Sequence, residues 1–173
     1  MDYSRYIDVI PDFPKKGISF KDVSPLLRDS EALETCIEDL ADRAEKYRPD
    51  VIMGAESRGF VFGSALALKM GLGFVMVRKP GKLPGKVLTV SYGLEYGRDS
   101  FEIETKALRK GERALLVDDL IATGGSLSAM EKLARLAGAE PVGALAVISL
   151  RELGGAAKLG VPCESLVSLS SLR

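Results

Sequence analysis

The chain has 173 residues, 46% of them hydrophobic, and its 24 basic residues balance 24 acidic ones. That length fits one hydrophobic core in a single domain spanning 1–173, and the neutral balance offers no overall field toward nucleic acid or membrane, so any anion site must be local. The chain contains no His, Trp, Asn or Gln, which excludes histidine catalysis, most zinc sites and histidine pH switches.

The missing amides point either to selection against heat-labile residues or to an engineered sequence. No apolar run approaches the ~20 residues that span a bilayer. Met1-Asp2-Tyr3-Ser4 has neither the basic nor the apolar region of a secretory signal. Cys36 and Cys163 match no metal or redox spacing and read as two reduced thiols of a cytoplasmic protein.

In chain order, Ser30 is placed to cap a helix over 31–47, where Leu33, Ile37, Leu40, Ala41 and Ala44 share one face before Pro49. Residues 51–55 form a short buried strand, 59–70 a small-residue helix, and 74–78 a second buried strand. Two Pro and two Gly between Lys79 and Gly85 predict an irregular loop. Strands over 87–94 and 101–104 flank a turn at Gly97. Residues 113–117 are a further strand and 126–137 a helix ended by Gly138. Strands over 142–150 and 165–169 complete the pattern. Such alternation predicts an α/β fold with a mostly parallel central sheet flanked by helices. Ligands of such sheets sit at the carboxyl ends of the strands, so the loops after Ala55, Arg78 and Val117 should meet.

The most informative stretch runs from Ala114 to Ser126, ALLVDDLIATGGS. An apolar strand leads into Asp118 and Asp119, and then into Thr123-Gly124-Gly125-Ser126 at a helix start. Glycines let backbone N–H groups approach an anion, and the helix N-terminus adds positive potential. Thr123 and Ser126 supply hydroxyl donors, while the two carboxylates suit ribose hydroxyls or a hydrated Mg²⁺. A P-loop is absent, and Gly71-Leu72-Gly73 lacks the third glycine of a dinucleotide fingerprint. From Arg78 to Lys86 there are four basic residues and no acidic one, which also suits an anion.

These thirteen residues resemble the phosphoribosyl diphosphate motif of type I phosphoribosyltransferases. Three further segments resemble the adenine phosphoribosyltransferase family: FPKKGISFKD at 13–22, ESRGF at 56–60, and RKPGKLPG at 78–85 continuing to YGLEYG at 92–97. The match in order and spacing runs from about Pro11 to Leu153. The resemblance implies a small N-terminal hood over about 1–30 that binds the base, a flexible loop, and a homodimer. It implies that Ala122, Thr123, Gly124, Gly125 and Ser126 hold the 5-phosphate while Asp118 and Asp119 face the ribose. Glu56, Ser57 and Arg58 would cradle the diphosphate through a cis Glu56–Ser57 peptide, with Arg78, Lys79 and Lys82 approaching it. Phe13, Ser19, Phe20 and Lys21 would meet adenine, with Leu120 and Leu153 closing over the ring. Glu95 would be the acid/base, with Tyr96 beside it on the loop. Magnesium would bind mainly through the diphosphate.

Read without the family, Phe13 and Phe20 are ordinary core residues. Ser19 stands where the family commonly has an aliphatic residue, and Lys15-Lys16 where it has small residues or Pro. The implied reaction joins adenine to the ribose 5-phosphate unit of phosphoribosyl diphosphate, giving AMP and diphosphate. The alternatives are a relative acting on another base, and a non-catalytic sensor of phosphoribosyl diphosphate. The latter usually carries a DNA-binding domain, for which a neutral chain of this length has no room.

Overall fold

The computed structural model describes residues 1–94 and 97–171. A 3₁₀ turn at Tyr3–Tyr6 leads into an antiparallel hairpin, β1 (Asp8–Pro11) and β2 (Ser19–Asp22), followed by helices α1 (Ser24–Arg28) and α2 (Ser30–Glu45). The chain continues through β3 (Val51–Ala55), α3 (Arg58–Met70) and β4 (Gly73–Val77). A second antiparallel hairpin follows, β5 (Val87–Leu94) with β6 (Gly97–Glu104). Then come β7 (Arg113–Ile121), α4 (Gly125–Leu136), β8 (Glu140–Leu150) and β9 (Cys163–Leu169). Among the described residues the central sheet has five strands in the order β4-β3-β7-β8-β9, every adjacent pair parallel. The expected parallel α/β sheet is therefore the observed one.

The inner strands read as unbroken apolar runs because both faces of the sheet are covered. On one face Val51, Met53, Leu116 and Ala144 pack with α4 residues Leu127, Met130 and Leu133 and with Phe101 and Ile103 of β6. On the other, Ile52, Leu115, Leu145 and Val147 pack with Leu40 of α2 and with Phe62 and Leu66 of α3. Phe62 and Leu66 lie four apart on α3 and so share one helix face.

Most boundaries differ from the sequence expectation by one or two residues, and three of the differences have a clear physical reason. The N-cap of α2 is Asp29, whose carboxylate accepts from the Ala32 N–H at 2.9 Å, and Ser30 is already helical. The end of α1 sets Asp29 extended (φ −90°, ψ 116°), the conformation a cap needs. β6 begins at Gly97 instead of 101, because its whole length pairs with β5. Most consequentially, β7 continues through Asp118 and Asp119 to Ile121, since β8 is long enough to pair with it as far as Ser149. The two carboxylates thus sit on a paired core strand and not in a loop.

Candidate active site

Connections leave β3 toward β4 on one side, while β7 lies on the other. This is the point at which a doubly wound sheet opens a crevice at its carboxyl edge. A cleft of about 360 Å³ lies there. Glu56, Ser57 and Arg58 line it after β3, and Asp118 to Ile121 with the loop Ala122–Ser126 line it from β7; Lys79, Tyr92 and Phe101 complete the wall. Both α3 and α4 begin at this cleft, and neither N-terminus is capped by its own side chain. Their first backbone N–H groups therefore supply donors and positive potential to the same space.

The loop Ala122–Ser126 is held by backbone fit. Gly124 has φ +81°, and a Cβ there would lie 2.4 Å from the Gly155 carbonyl oxygen. Reciprocally, a Cβ on Gly155 would lie 2.2 Å from the Ala122 oxygen and 2.5 Å from the Gly124 nitrogen. The segment after β8 thus buttresses the loop so closely that only two glycines fit. Gly125 lies under β5: a Cβ there would meet the Tyr92 ring at 3.2 Å.

Behind the loop, Asp118 and Asp119 are 8% and 6% exposed. Burial, and then the neighbouring Asp119 charge, push the Asp118 carboxyl well above the usual range. Asp119 accepts from Arg58 Nε at 2.5 Å. The Arg58 guanidinium also lies 4.7 Å from the centroid of Phe20, tying the hood hairpin to the cleft edge.

On the β3 side, the Glu56–Ser57 peptide is cis, as is Phe13–Pro14. The Glu56 carboxylate accepts from the Lys79 N–H at 2.8 Å and from Arg78 Nε at 3.2 Å. These bonds, the one from Lys79 first, hold it below its usual pKa against the effect of burial. Its side chain therefore aligns the basic segment, since a carboxylate would repel an anionic ligand. Lys79 Nζ donates to Asp99 and, at 3.0 Å, to the Tyr92 hydroxyl.

The phosphoribosyl transferase domain family matches residues 25–159. The adenine phosphoribosyltransferase of Gluconobacter oxydans is 48% identical over 168 residues, covering 97% of this chain and 94% of that protein. The chain belongs to the adenine phosphoribosyltransferases. Among solved structures, the adenine phosphoribosyltransferase of Thermoanaerobacter pseudethanolicus superposes with a TM-score of 0.95 at 46% identity, covering 97% of this chain and 98% of that one. The Saccharomyces cerevisiae enzyme, complexed with an imino-altritol bisphosphate and adenine, gives 0.92 at 39% identity, covering 96% and 97%.

Within this adenine phosphoribosyltransferase fold, the cleft brings together Glu56, Ser57, Arg58, Lys79, Asp118, Asp119, Leu120 and the whole loop from Ala122 to Ser126. Arg78 and Lys82 lie outside its lining; Arg78 is engaged with Glu56 and, at 3.3 Å, with the Lys82 carbonyl. The hood residues Phe13, Ser19, Phe20 and Lys21, and Leu153, also lie outside it. Phe13 is 51% exposed and stands edge-on to Phe20 at 5.1 Å, so the reading of it as core is corrected. A hairpin two strands wide has no interior in which to bury it. Lys21 is the buried member, donating to Ser19 Oγ at 2.8 Å. Glu95 and Tyr96 lie outside the described residues. Sequence reasoning missed Tyr92 and Phe101 as cleft walls and Gly155 as the buttress. The Gly154-Gly155 pair was a visible signal of an unusual backbone.

Proposed function

We infer that this cleft transfers ribose 5-phosphate from phosphoribosyl diphosphate to adenine, releasing AMP and diphosphate. The observation that carries this is the meeting of an uncapped glycine loop, an acidic pair and two cations in one crevice. The Saccharomyces relative was solved with a sugar-like bisphosphate and adenine, the same pairing of ligand classes.

In the reaction a purine nitrogen attacks C1 of the ribose as the bond from C1 to the diphosphate oxygen breaks. Positive charge grows on the sugar and negative charge on the leaving group. Asp118 and Asp119 face the first; Arg58, Lys79 and the start of α3 face the second. The backbone donors of Ala122–Ser126 hold the 5-phosphate. The nitrogen's proton passes to Glu95, the carboxylate to which the family resemblance gives the acid/base role, since the chain has no histidine. Phe13, Ser19, Phe20, Lys21, Leu120 and Leu153 form the base side, within a single domain whose first ~30 residues are the hood.

The hard oxygen donors beside the cleft, Asp118 and Asp119, fit a hydrated Mg²⁺. Among the described residues no cluster of three or more acidic or cysteine side chains is placed to hold a metal. Bound with the diphosphate, the ion would supply charge neutralisation of the leaving group.

The chain acts as a cytoplasmic homodimer. The free Cys36 and Cys163 suit a reducing compartment. Val61 and Leu68 on α3 and Met76 on the edge strand β4 are 41%, 84% and 46% exposed, and a second subunit would cover them. Among the described residues, no helix is long and apolar enough to cross a membrane.

A spectroscopic assay with phosphoribosyl diphosphate, Mg²⁺ and a panel of bases tests the assignment. Turnover with adenine is expected, at least ~10²-fold above hypoxanthine in kcat/KM. Equal or greater turnover with a 6-oxopurine or orotate would move the chain to another branch, and no turnover with any base would favour a sensor.

A further inference from the structure

The basic segment after β4 is held by three carboxylates, and only one of them engages a cation that faces the cleft. Glu56 binds the Arg78 side chain and the Lys79 N–H. Glu102 accepts from the Gly81 N–H at 3.0 Å and from Thr89 Oγ1 at 3.2 Å, while its own backbone bridges that of Arg78. The third, Asp99 on β6, accepts the Lys79 ammonium itself.

The geometry around that contact is specific. Asp99 Oδ2 also accepts from the Tyr92 hydroxyl at 3.1 Å, directly across the hairpin, and Oδ1 accepts from the Ser100 N–H at 2.8 Å. The Lys79 ammonium lies 4.7 Å from the Phe101 centroid and 5.6 Å from that of Tyr92. Lys79, Tyr92 and Phe101 all line the cleft, whereas Asp99 is not part of its lining. The Lys79 and Asp99 side chains are 35% and 28% exposed, so the pair is neither locked in the core nor fully solvated.

We propose that Asp99 is a positioning residue for the leaving group: it holds Lys79 in the cleft wall as a counter-charge and gives the ammonium up to the diphosphate, setting how tightly that product is held. The proposal rests on the reading that Lys79 meets the diphosphate. A cation bound by a carboxylate must exchange that partner for the incoming anion, so Asp99 competes with the ligand. The ion pair also ties the β5–β6 hairpin to the cleft wall, so that exchange releases one of the hairpin's tethers when the diphosphate binds. Lys79 and Asp99 carry opposite pKa shifts in keeping with their bond. Burial is the largest single influence on each and works against its charge, and the bond between them, together with those from Tyr92 and Ser100, outweighs it, raising Lys79 and lowering Asp99.

The test is the affinity of Mg-diphosphate for the full-length enzyme, read by calorimetry, with KM and kcat alongside. Asp99→Asn keeps the shape and an acceptor oxygen but removes the charge. It is expected to bind diphosphate about 5-fold more tightly and to lower KM for phosphoribosyl diphosphate, with adenine KM unchanged. Asp99→Glu, which keeps the charge, should not tighten binding. In Lys79→Met, Asp99→Asn should have no further effect. Unchanged or weaker diphosphate binding in folded Asp99→Asn overturns the proposal, as does an equal gain in the Lys79→Met background, which would mean a field effect and not a contact. If Asp99→Asn does not fold, Asp99→Ser answers the same question. Lys79→Met with wild-type diphosphate affinity would instead overturn the assignment of Lys79 to the diphosphate.

Discussion

The two regions proposed to hold the substrates, the phosphate end in the cleft and the base end on the N-terminal hairpin beside it, are built on different principles. The phosphate end is backbone: β7 is paired along its length, and the loop that follows is pressed against Gly155 with no room for a single Cβ. The base end is a two-stranded hairpin with Val9, Ile10 and Phe13 exposed by 46%, 40% and 51%. A ribbon of that width has marginal stability of its own. It is held by the buried Lys21, by Val23 and Leu26 beyond it, and by Arg58 reaching Phe20. Error at the phosphate end should therefore damage fold and function together, and error at the base end should alter function alone.

Gly124→Val sharpens this contrast most. The left-handed backbone and the contact with Gly155 forbid the side chain, so stability falls as well as phosphoribosyl diphosphate binding. We expect kcat/KM to drop by at least ~10²–10³-fold, with a lower unfolding midpoint. A variant of wild-type stability that lost only binding would show the loop to be looser than the contact with Gly155 implies. Gly155→Ala comes next. It touches no substrate in the proposed arrangement, yet its Cβ would displace the Ala122 oxygen and the Gly124 nitrogen. A misplacement of ~1 Å costs up to ~10²-fold in rate, and KM for phosphoribosyl diphosphate should rise with adenine KM unaffected. Unaltered kinetics would remove Gly155 as a buttress.

At the base end, Phe13→Ala removes an exposed ring and its edge contact with Phe20. In the proposed arrangement the ring also meets adenine, and an aromatic contact contributes ~0.5–1.5 kcal/mol, so kcat/KM for adenine should fall about 3–10-fold with the melting temperature lowered by no more than ~2–4 °C. A large loss of stability there would break the contrast.

The smallest effect concerns pH. Because burial raises the Asp118 pKa in the folded chain, its contribution to stability is complete below the ordinary carboxylate range, ~3.9. That contribution is lost as pH rises through the raised value. Asp118→Asn should melt ~2–4 °C above the wild type at neutral pH, about 1 kcal/mol for a chain of this size, and the gap should close toward pH 4. Activity should fall, since one carboxylate is removed from the ribose side. A gap independent of pH would mean that Asp118 is not the titrating group.

How much could be read beforehand follows the same division. The strand–loop–helix from Ala114 to Ser126 was legible because apolar runs and glycines report local backbone needs directly. The hood was not. Phe13 and Phe20 have the composition of core residues, and only the narrowness of the hairpin leaves Phe13 outside. Glu56 was legible as a residue of the cleft, but the direction of its carboxylate, toward Lys79 and Arg78, depends on β4 lying beside β3.

By itself the sequence determined the alternation of elements, the parallel sheet, and the glycines and hydroxyls of the loop after β7. Each depends on residues near one another in the chain and on periodicity within a single element. Tertiary structure alone decided that β7 runs on through Asp118 and Asp119, that Gly155 closes behind Gly124, and that Asp99 holds Lys79. Those facts join segments about 20 to 30 residues apart, or rest on a neighbouring strand's length. No local propensity encodes them, because the partner's position is set by packing of the whole sheet.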